Sequence, residues 1–545
     1  MIRLTVNNND YEFEKGISLF EVSKKFADDF KYEIIVGQVD GELHDLNYKL
    51  DNDSNLKFYD LSSHIGNKVY ERGLLFLLIK AIKELYGYNI RACHSIDKGI
   101  FCEILDGSVL KEQIPKIKEQ IDKYVNSNIP FIKGTYSKED SINYFNKVGR
   151  LDKIESLKYV VKDNLVLYKF IDILDYFYGV MPINSSYIKF FDIHYLDDNS
   201  FVLLLPNIYI GGEIKPYSHY EGVFNSFRSF SNWAEKQGIV NVHDLNKEIS
   251  FGRIQDLIYM NETNQNMRLY RIAEQIKSKE EIKLVLIAGP SSSGKTTTSK
   301  KLAIYLKSMG LKPQPLSVDD YFKERENSPK DKEGKYDFEC VEAIDIDLFN
   351  DHLKKILNNE EVLIPTFNFV EGKKEYKNKI KLDKNGILII EGLHALNDIL
   401  TSSIENKHKF KIYISPLSTL GIDNSNRVST TDLRLLRRMV RDNMNRGYNA
   451  SKTLESWPSV RKGEEKYVFP FQNNNDVVFN TSLLYEFGVL KTYAEPLLFS
   501  VDREDKNYNE AIRLINLIMM VLPISGVEIP NDSILREFIG NSYFR

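Results

Sequence analysis

The C-terminal half of this 545-residue chain is predicted to be α/β, a parallel sheet between helices, and three observations predict it. Residues 282–288 form an apolar run of the length of a buried parallel strand. The run passes directly into Gly289-Pro290-Ser291-Ser292-Ser293-Gly294-Lys295-Thr296-Thr297, and helical periodicity follows over 299–309. A second apolar run, 385–390, ends in the acid Glu391. Ahead of this half, the patterning predicts a small ubiquitin-like β-grasp unit and then an α+β region.

Composition sets the outer limits. The 73 basic and 77 acidic residues nearly cancel and 42% of residues are hydrophobic, which excludes an obligately disordered chain or a polybasic nucleic-acid coat. Cys93, Cys102 and Cys340 form no CxxC pair and read as small buried apolar residues. No run approaches the ~20 apolar residues of a membrane span. With no secretory h-region at the start either, a cytoplasmic protein is expected.

In residues 1–62, alternating strings at 2–6 and 11–13 flank the polar turn 7–10, a hairpin pattern. Ser18 opens a helix through 26 that carries Leu19, Val22 and Phe26 on one face, and 34–39 and 56–59 read as further strands. Residues 63–237 mix a long helix (70–86) and helices at 109–124 and 137–148 with strands at 99–105 and 201–205. His94 and His194 lack ligand-spaced partners, so no metal site is expected there. Residues 238–280 are polar, with helical stretches at 254–260 and 266–277, and read as a connector docked onto the final unit, 281–545.

The chemistry sits in that final unit. GxxxxGK(S/T) between a strand and a helix curls successive backbone N–H groups toward phosphate oxygens. Lys295 adds a point charge between the β- and γ-phosphates, and Thr296 offers a hard oxygen to Mg²⁺. Leu316-Ser-Val-Asp319-Asp320-Tyr321-Phe322 ends the next strand, where a carboxylate accepts the proton of an attacking hydroxyl. Either Asp319 or Asp320 fits that task, and one of them is expected to cap a helix. Glu391 is placed to reach Mg²⁺, directly or through water. Finally, Arg434, Arg438 and Arg441 share a helical face, with Arg437 beside it and Arg446 beyond. Such a row suits a closing lid that neutralises phosphate, or a solvated basic face or RNA patch.

These four elements, in this order, resemble the uridine kinase and phosphoribulokinase family of P-loop kinases over roughly 282–500. The resemblance implies ATP and Mg²⁺ as cofactors and a small hydroxyl acceptor, with a nucleoside such as uridine favoured. It implies Asp319 as general base, Tyr321 and Phe322 as the aromatics after it, Phe338 stacking on the nucleobase, and Arg438, Arg441 and Arg446 as lid arginines. The string Ile364-Pro-Thr-Phe367-Asn368-Phe369-Val370 looks like the family's Pro-x-Tyr-Asp-Phe stretch. Phe367 and Asn368 stand where Tyr and Asp are usual, and Gly372 replaces a base-contacting His. Glu391-Gly-Leu-His394 is closer to the phosphoribulokinase form, which keeps a sugar phosphate open as acceptor.

The front is similar to a threonyl-tRNA synthetase, a TGS domain followed by the editing domain, with Ala92-Cys-His-Ser-Ile-Asp-Lys-Gly-Ile-Phe101 carrying the likeness. The editing HxxxH falls on Arg72 and Phe76, so editing chemistry is not expected. The whole arrangement resembles a bacterial subgroup of TGS-containing nucleoside kinases, and 459–472 is similar to its post-lid segment. An RNA contact through the front domains is the partner this implies.

Overall fold

The computed structural model describes residues 1–208, 212–330, 334, 336–337, 339–368 and 371–544. Its last sheet has five parallel strands in the order Lys312–Ser317, Gly386–Glu391, Leu284–Ala288, Lys409–Ser415 and Val477–Asn480. Leu284–Ala288 is wholly buried, and Gly386–Glu391 is buried up to its terminal acid, as a parallel sheet covered on both faces requires. Side chains alternate between two cores. Val285, Ile287, Ile387 and Ile389 pack with the helices Ile254–Ser278, Glu486–Phe499 and Tyr508–Ile518. Leu284, Leu286, Leu388 and Ile390 pack with Phe349 and Leu353 of the helix Ile346–Leu357.

The connector holds a helix Val242–Ser250 that the sequence pattern did not mark, and its two expected stretches join into one helix, Ile254–Ser278. The polar letters at 261–265 do not interrupt it because three of them point into the protein. Asn261 Oδ1 accepts the Leu484 N–H (3.0 Å), Glu262 accepts the Tyr485 hydroxyl, and Gln265 Nε2 donates to the Asn480 and Ser482 carbonyls. A polar face is here a buried docking face: Asn261, Glu262 and the Gln265 amide nitrogen each find a partner, while Gln265 Oε1 is left without one among the described residues.

The front begins with a five-stranded sheet in the order Asn9–Phe13, Ile2–Val6, Ser54–Asp60, Ile34–Val39, Glu42–His44. Asn7 and Asn8, both at positive φ (51° and 64°), make the two-residue hairpin turn. Ser18 caps Leu19–Ser23 through a capping box with Glu21, and a 3₁₀ turn replaces the helix from Lys24 onward. The long helix runs His64–Tyr86, capped by Ser63 and closed by Gly87 at φ 75°. A four-stranded antiparallel sheet, Asp192–Asp197, Ser200–Leu204, Gly99–Ile104 and Ile90–Ile96, and a three-stranded one complete this region. The helix expected over 109–124 starts only at Ile114, where Pro115 fits the first turn. The main apolar core of this region runs from Ile2 to Leu205, with smaller clusters around Val202 and around Phe145.

The front also grips the loop before the arginine helix Thr430–Arg446. Gly421 bridges Asn241, and the Ala92 N–H donates to Asn424 O (2.8 Å). Lys153, fully buried, pairs with Asp175 (2.7 Å) and Asp423 (3.2 Å). All three cysteines are buried free thiols. His94 is buried against the Phe101 and Phe227 rings, and no metal-holding cluster occurs among the described residues. No helix of the described residues is long and apolar enough to cross a membrane.

Candidate active site

The segment 289–295 leaves the central strand and enters the helix Lys295–Ser308 through Ser292 at φ 58° and Gly294 at φ 88°. Left-handed residues turn the amides inward, which makes an anion-binding concavity. A side chain at Gly289 would meet the Ile414 carbonyl at 2.0 Å, so the loop lies directly on the neighbouring strand. Lys295 Nζ donates to the Gly289 and Pro290 carbonyls (3.0 and 3.2 Å), curling back over the loop. Thr296 Oγ1 donates to Glu391 Oε1 at 3.4 Å, so the two residues expected at Mg²⁺ are neighbours at the carboxyl edge of adjacent strands.

Asp319 follows the strand Lys312–Ser317 and is open to solvent in a crowded cleft. Desolvation pushes its carboxyl upward, opposed by the charges of Lys295, Arg446 and Arg441. Glu391 is pushed up to about 7, first by burial and then by the Asp319 charge, with Lys295 opposing and Glu537 adding to the rise. Neither Asp319 nor Asp320 caps a helix. Asp320 Oδ1 accepts the Phe367 N–H (3.2 Å) and so secures the start of the neighbouring hairpin's bend. The cap expectation fails because the segment after this strand is a four-residue 3₁₀ turn with no side-chain cap.

The aromatic residues lie deeper than expected. Tyr321 is fully buried, edge-on to Phe349, with its hydroxyl 3.0 Å from His352 Nδ1, so its side chain faces the core and not a ligand. Phe322 and Phe367 are buried against each other at 5.7 Å between centroids. Phe338, and Phe369 and Val370 of the 364–370 stretch, lie outside the described residues. Asn368 donates to Glu375 Oε1 (3.2 Å) and accepts the Glu371 N–H. Gly372 sits at φ 70° with the Arg325 side chain 2.9 Å from where a Cβ would be, so backbone and packing both exclude a His there.

The arginines divide into two groups. Arg434 and Arg437 are fully buried supports: Arg434 Nε donates to Ser291 O (3.0 Å) and Arg437 Nη2 to Thr481 O (2.9 Å). Arg438 donates to Ser291 Oγ at 2.8 Å, touching the loop itself. Arg438, Arg441 and Arg446 converge on the buried Asp442 at 3.2, 2.9 and 3.5 Å. The shared carboxylate lets three like charges sit on one helix end, with Arg441 and Arg446 within electrostatic reach of Asp319.

Three residues at the loop were not singled out for a role by sequence reasoning. Glu464, on the helix Ala450–Tyr467, is buried, accepts the Ser291 N–H (2.8 Å) and is paired with Arg434 and with Arg461 (2.9 Å). Its signal was Arg461 at i−3 in a charged run. Thr481 Oγ1 donates to Ser293 O (2.6 Å), and Glu537 Oε2 accepts the Thr297 N–H (3.0 Å). Neither has a spacing that announces it.

Residues 284–483 match the Phosphoribulokinase / Uridine kinase family. The chain is 26% identical over 193 residues to a uridine kinase of Anoxybacillus flavithermus, covering 35% of this chain and 82% of that one. It is 25% identical over 169 residues to a threonine–tRNA ligase of Desulforamulus reducens, covering 30% of this chain and 27% of the ligase. This chain therefore spans little more than a quarter of that ligase's length. Among solved structures, phosphoribulokinase from Rhodobacter spheroides aligns with TM-score 0.26 and 14% identity, over 37% of this chain and 70% of that one. Residues 284–483 thus place the C-terminal region in the phosphoribulokinase/uridine kinase family, behind an N-terminal region similar to threonine–tRNA ligases.

Proposed function

We propose that this protein is an ATP-dependent kinase that transfers the γ-phosphate to a ribose hydroxyl of a pyrimidine nucleoside, uridine or cytidine. One observation carries the reading. Asp319 stands solvent-open at the carboxyl edge of the sheet, under the charges of Lys295, Arg441 and Arg446 and close enough to Glu391 to raise it. In this reading Asp319 accepts the acceptor's hydroxyl proton as the new O–P bond forms and the bond to the bridging oxygen of ADP breaks. Lys295, Arg438, Arg441 and Arg446 hold the charge on the transferring phosphoryl, and residues 289–297 cradle the phosphates. Mg²⁺ supplies charge neutralisation when bound, and Thr296 Oγ1 and Glu391, a hydroxyl beside a carboxylate, are the hard oxygens suited to hold it.

The similarity to uridine kinases supports a nucleoside acceptor. A sugar-phosphate acceptor draws on Glu391-Gly-Leu-His394, but His394 is buried and burial holds it down to about 4, so it is neutral and a poor phosphate ligand. We read residues 1–62 as TGS-like, 63–237 as editing-like without editing chemistry, 238–280 as connector and 281–545 as kinase. Loss of editing fits the geometry, since Arg72 donates to Val180 O and Phe76 packs among Phe131, Phe170 and Phe177. An RNA-triggered switch is the rival. Residues 1–60 carry thirteen acidic and seven basic side chains, a poor match for a phosphate backbone. The free thiols suit a reducing cytoplasm.

The test is Mg²⁺-dependent ADP release without acceptor and with uridine, cytidine, ribulose 5-phosphate or bulk tRNA. Stimulation by uridine or cytidine is expected. A response to tRNA alone would replace the kinase reading with the switch.

A further inference from the structure

The segment that follows the matched family region returns to the phosphate loop. Ile534, Leu535, Phe538 and Ile539 are buried, and Ile534 Cγ2 lies 2.6 Å from where a Cβ on Gly294 would stand. The Arg437 guanidinium lies 5.0 Å from the Phe538 ring centroid, and Arg536 Nη2 donates to the Gly526 and Ile529 carbonyls (2.9 and 2.5 Å). Lys301, on the loop's own helix, pairs with Asp532 at 3.0 Å. Held this way, the segment delivers Glu537 Oε2 to the Thr297 N–H at 3.0 Å. That N–H lies in the first helical turn after the loop, where amides have no intrahelical partner and face a bound anion.

Resting on the nucleotide-binding reading above, we propose that Glu537 is a built-in competitor for phosphate, a carboxylate that occupies the Thr297 amide until a nucleotide displaces it.

Comparison with Glu464 gives the reason. Both are carboxylates on amides at the loop, but Glu464 is buried and balanced by Arg434 and Arg461, so it is a fixed strut. Glu537 is only half-buried, and among the described residues the Thr297 N–H is its carboxylate's single hydrogen-bond partner. No cation is paired with it among the described residues, and its charge acts on Glu391. An unbalanced carboxylate beside other acids is held by one hydrogen bond, and a polyphosphate, more highly charged, makes a stronger claim on the same donor. The competition lowers apparent affinity by the fraction of time the amide is free.

The experiment measures binding of MgATP, inorganic tripolyphosphate and adenosine to the full-length chain by calorimetry, for wild type, Glu537→Gln and Glu537→Ala. With the carboxylate on the amide about nine-tenths of the time, both variants tighten MgATP and tripolyphosphate about tenfold. Adenosine is unchanged. Lys295→Met in the Glu537→Gln background removes the gain, which ties it to the loop. A loss of folding does not produce tighter binding, and two variants guard against a defect in either one. Equal or weaker binding in both variants, with wild type binding MgATP, overturns the competitor while leaving the nucleotide site in place. Adenosine tightening alongside MgATP overturns it too, since the segment would then block the base. If none of the proteins binds MgATP, the nucleotide-binding reading falls and the competitor with it.

Discussion

The Phe367 N–H donates to Asp320 Oδ1 at 3.2 Å, and this one bond separates the tasks of two adjacent carboxylates. Asp320 is committed to a backbone amide, while Asp319 remains open to solvent under the Lys295, Arg441 and Arg446 charges. Asp319→Asn is expected to lower kcat by about 10²–10⁴ with nucleotide binding nearly intact. Asp320→Asn is expected to act mainly on stability, by about 1 kcal/mol. Steady-state kinetics with thermal melts of both variants checks the assignment, and equal kcat losses would argue against it.

Glu391 makes stability depend on pH. Its folded carboxyl is raised from 4.5 to about 7, by burial and then by the Asp319 charge. The folded chain therefore keeps a proton that the unfolded chain has released across that window. Stability from this group is full below about 4.5 and is lost as pH rises through about 7. Glu391→Gln keeps a neutral group, so the variant is expected to gain on wild type by about 3 kcal/mol at pH 8 and to match it at pH 4. Melting temperatures across that range decide it. Glu339, also pushed up to about 7 by burial and then by Glu464, titrates in both proteins and cancels.

A chain of ion pairs joins the front region to the phosphate loop. Lys98 Nζ meets Glu465 at 2.8 Å, Arg461 bridges Glu465 and Glu464 (3.0 and 2.9 Å), and Glu464 accepts the Ser291 N–H. Lys98→Met leaves Glu465 to draw on Arg461 alone. The ATP KM should rise about fivefold, or about 1 kcal/mol, with kcat little changed. An unchanged KM would mean that the coupling stops at Arg461.

Tyr321 is placed as a core residue by its contact with His352. Tyr321→Phe should cost about 1 kcal/mol of stability and leave the acceptor KM alone. A severalfold change in that KM, with stability unaffected, would return Tyr321 to the substrate.

The parallel sheet and its loop were legible because both signals are local. An apolar run ending in glycines and one ending in an acid fix two strand ends, and strand order then brings Thr296 to Glu391. The arginine helix was legible as a face but not as two groups. Which guanidiniums serve the loop depends on Glu464, Thr481 and Asp442, two of them on other elements. The unbroken connector helix was hidden for the same reason: Asn261 and Gln265 look like solvent letters until their partners near 480 are known. Glu537 had no signal, since its meaning rests on a contact 240 residues away in sequence.

The grip on the loop before the arginine helix bears on how this chain divides. Asp423 finds its cation in Lys153, Gly421 its strand neighbour in Asn241, and the Asn424 carbonyl its donor in Ala92. A fragment starting at 281 would expose an uncompensated acid, an open strand edge and the apolar seat of the connector helix. The catalytic half is thus an incomplete solid whose missing surface is encoded upstream. Expressing it alone would require that seam to be redesigned first.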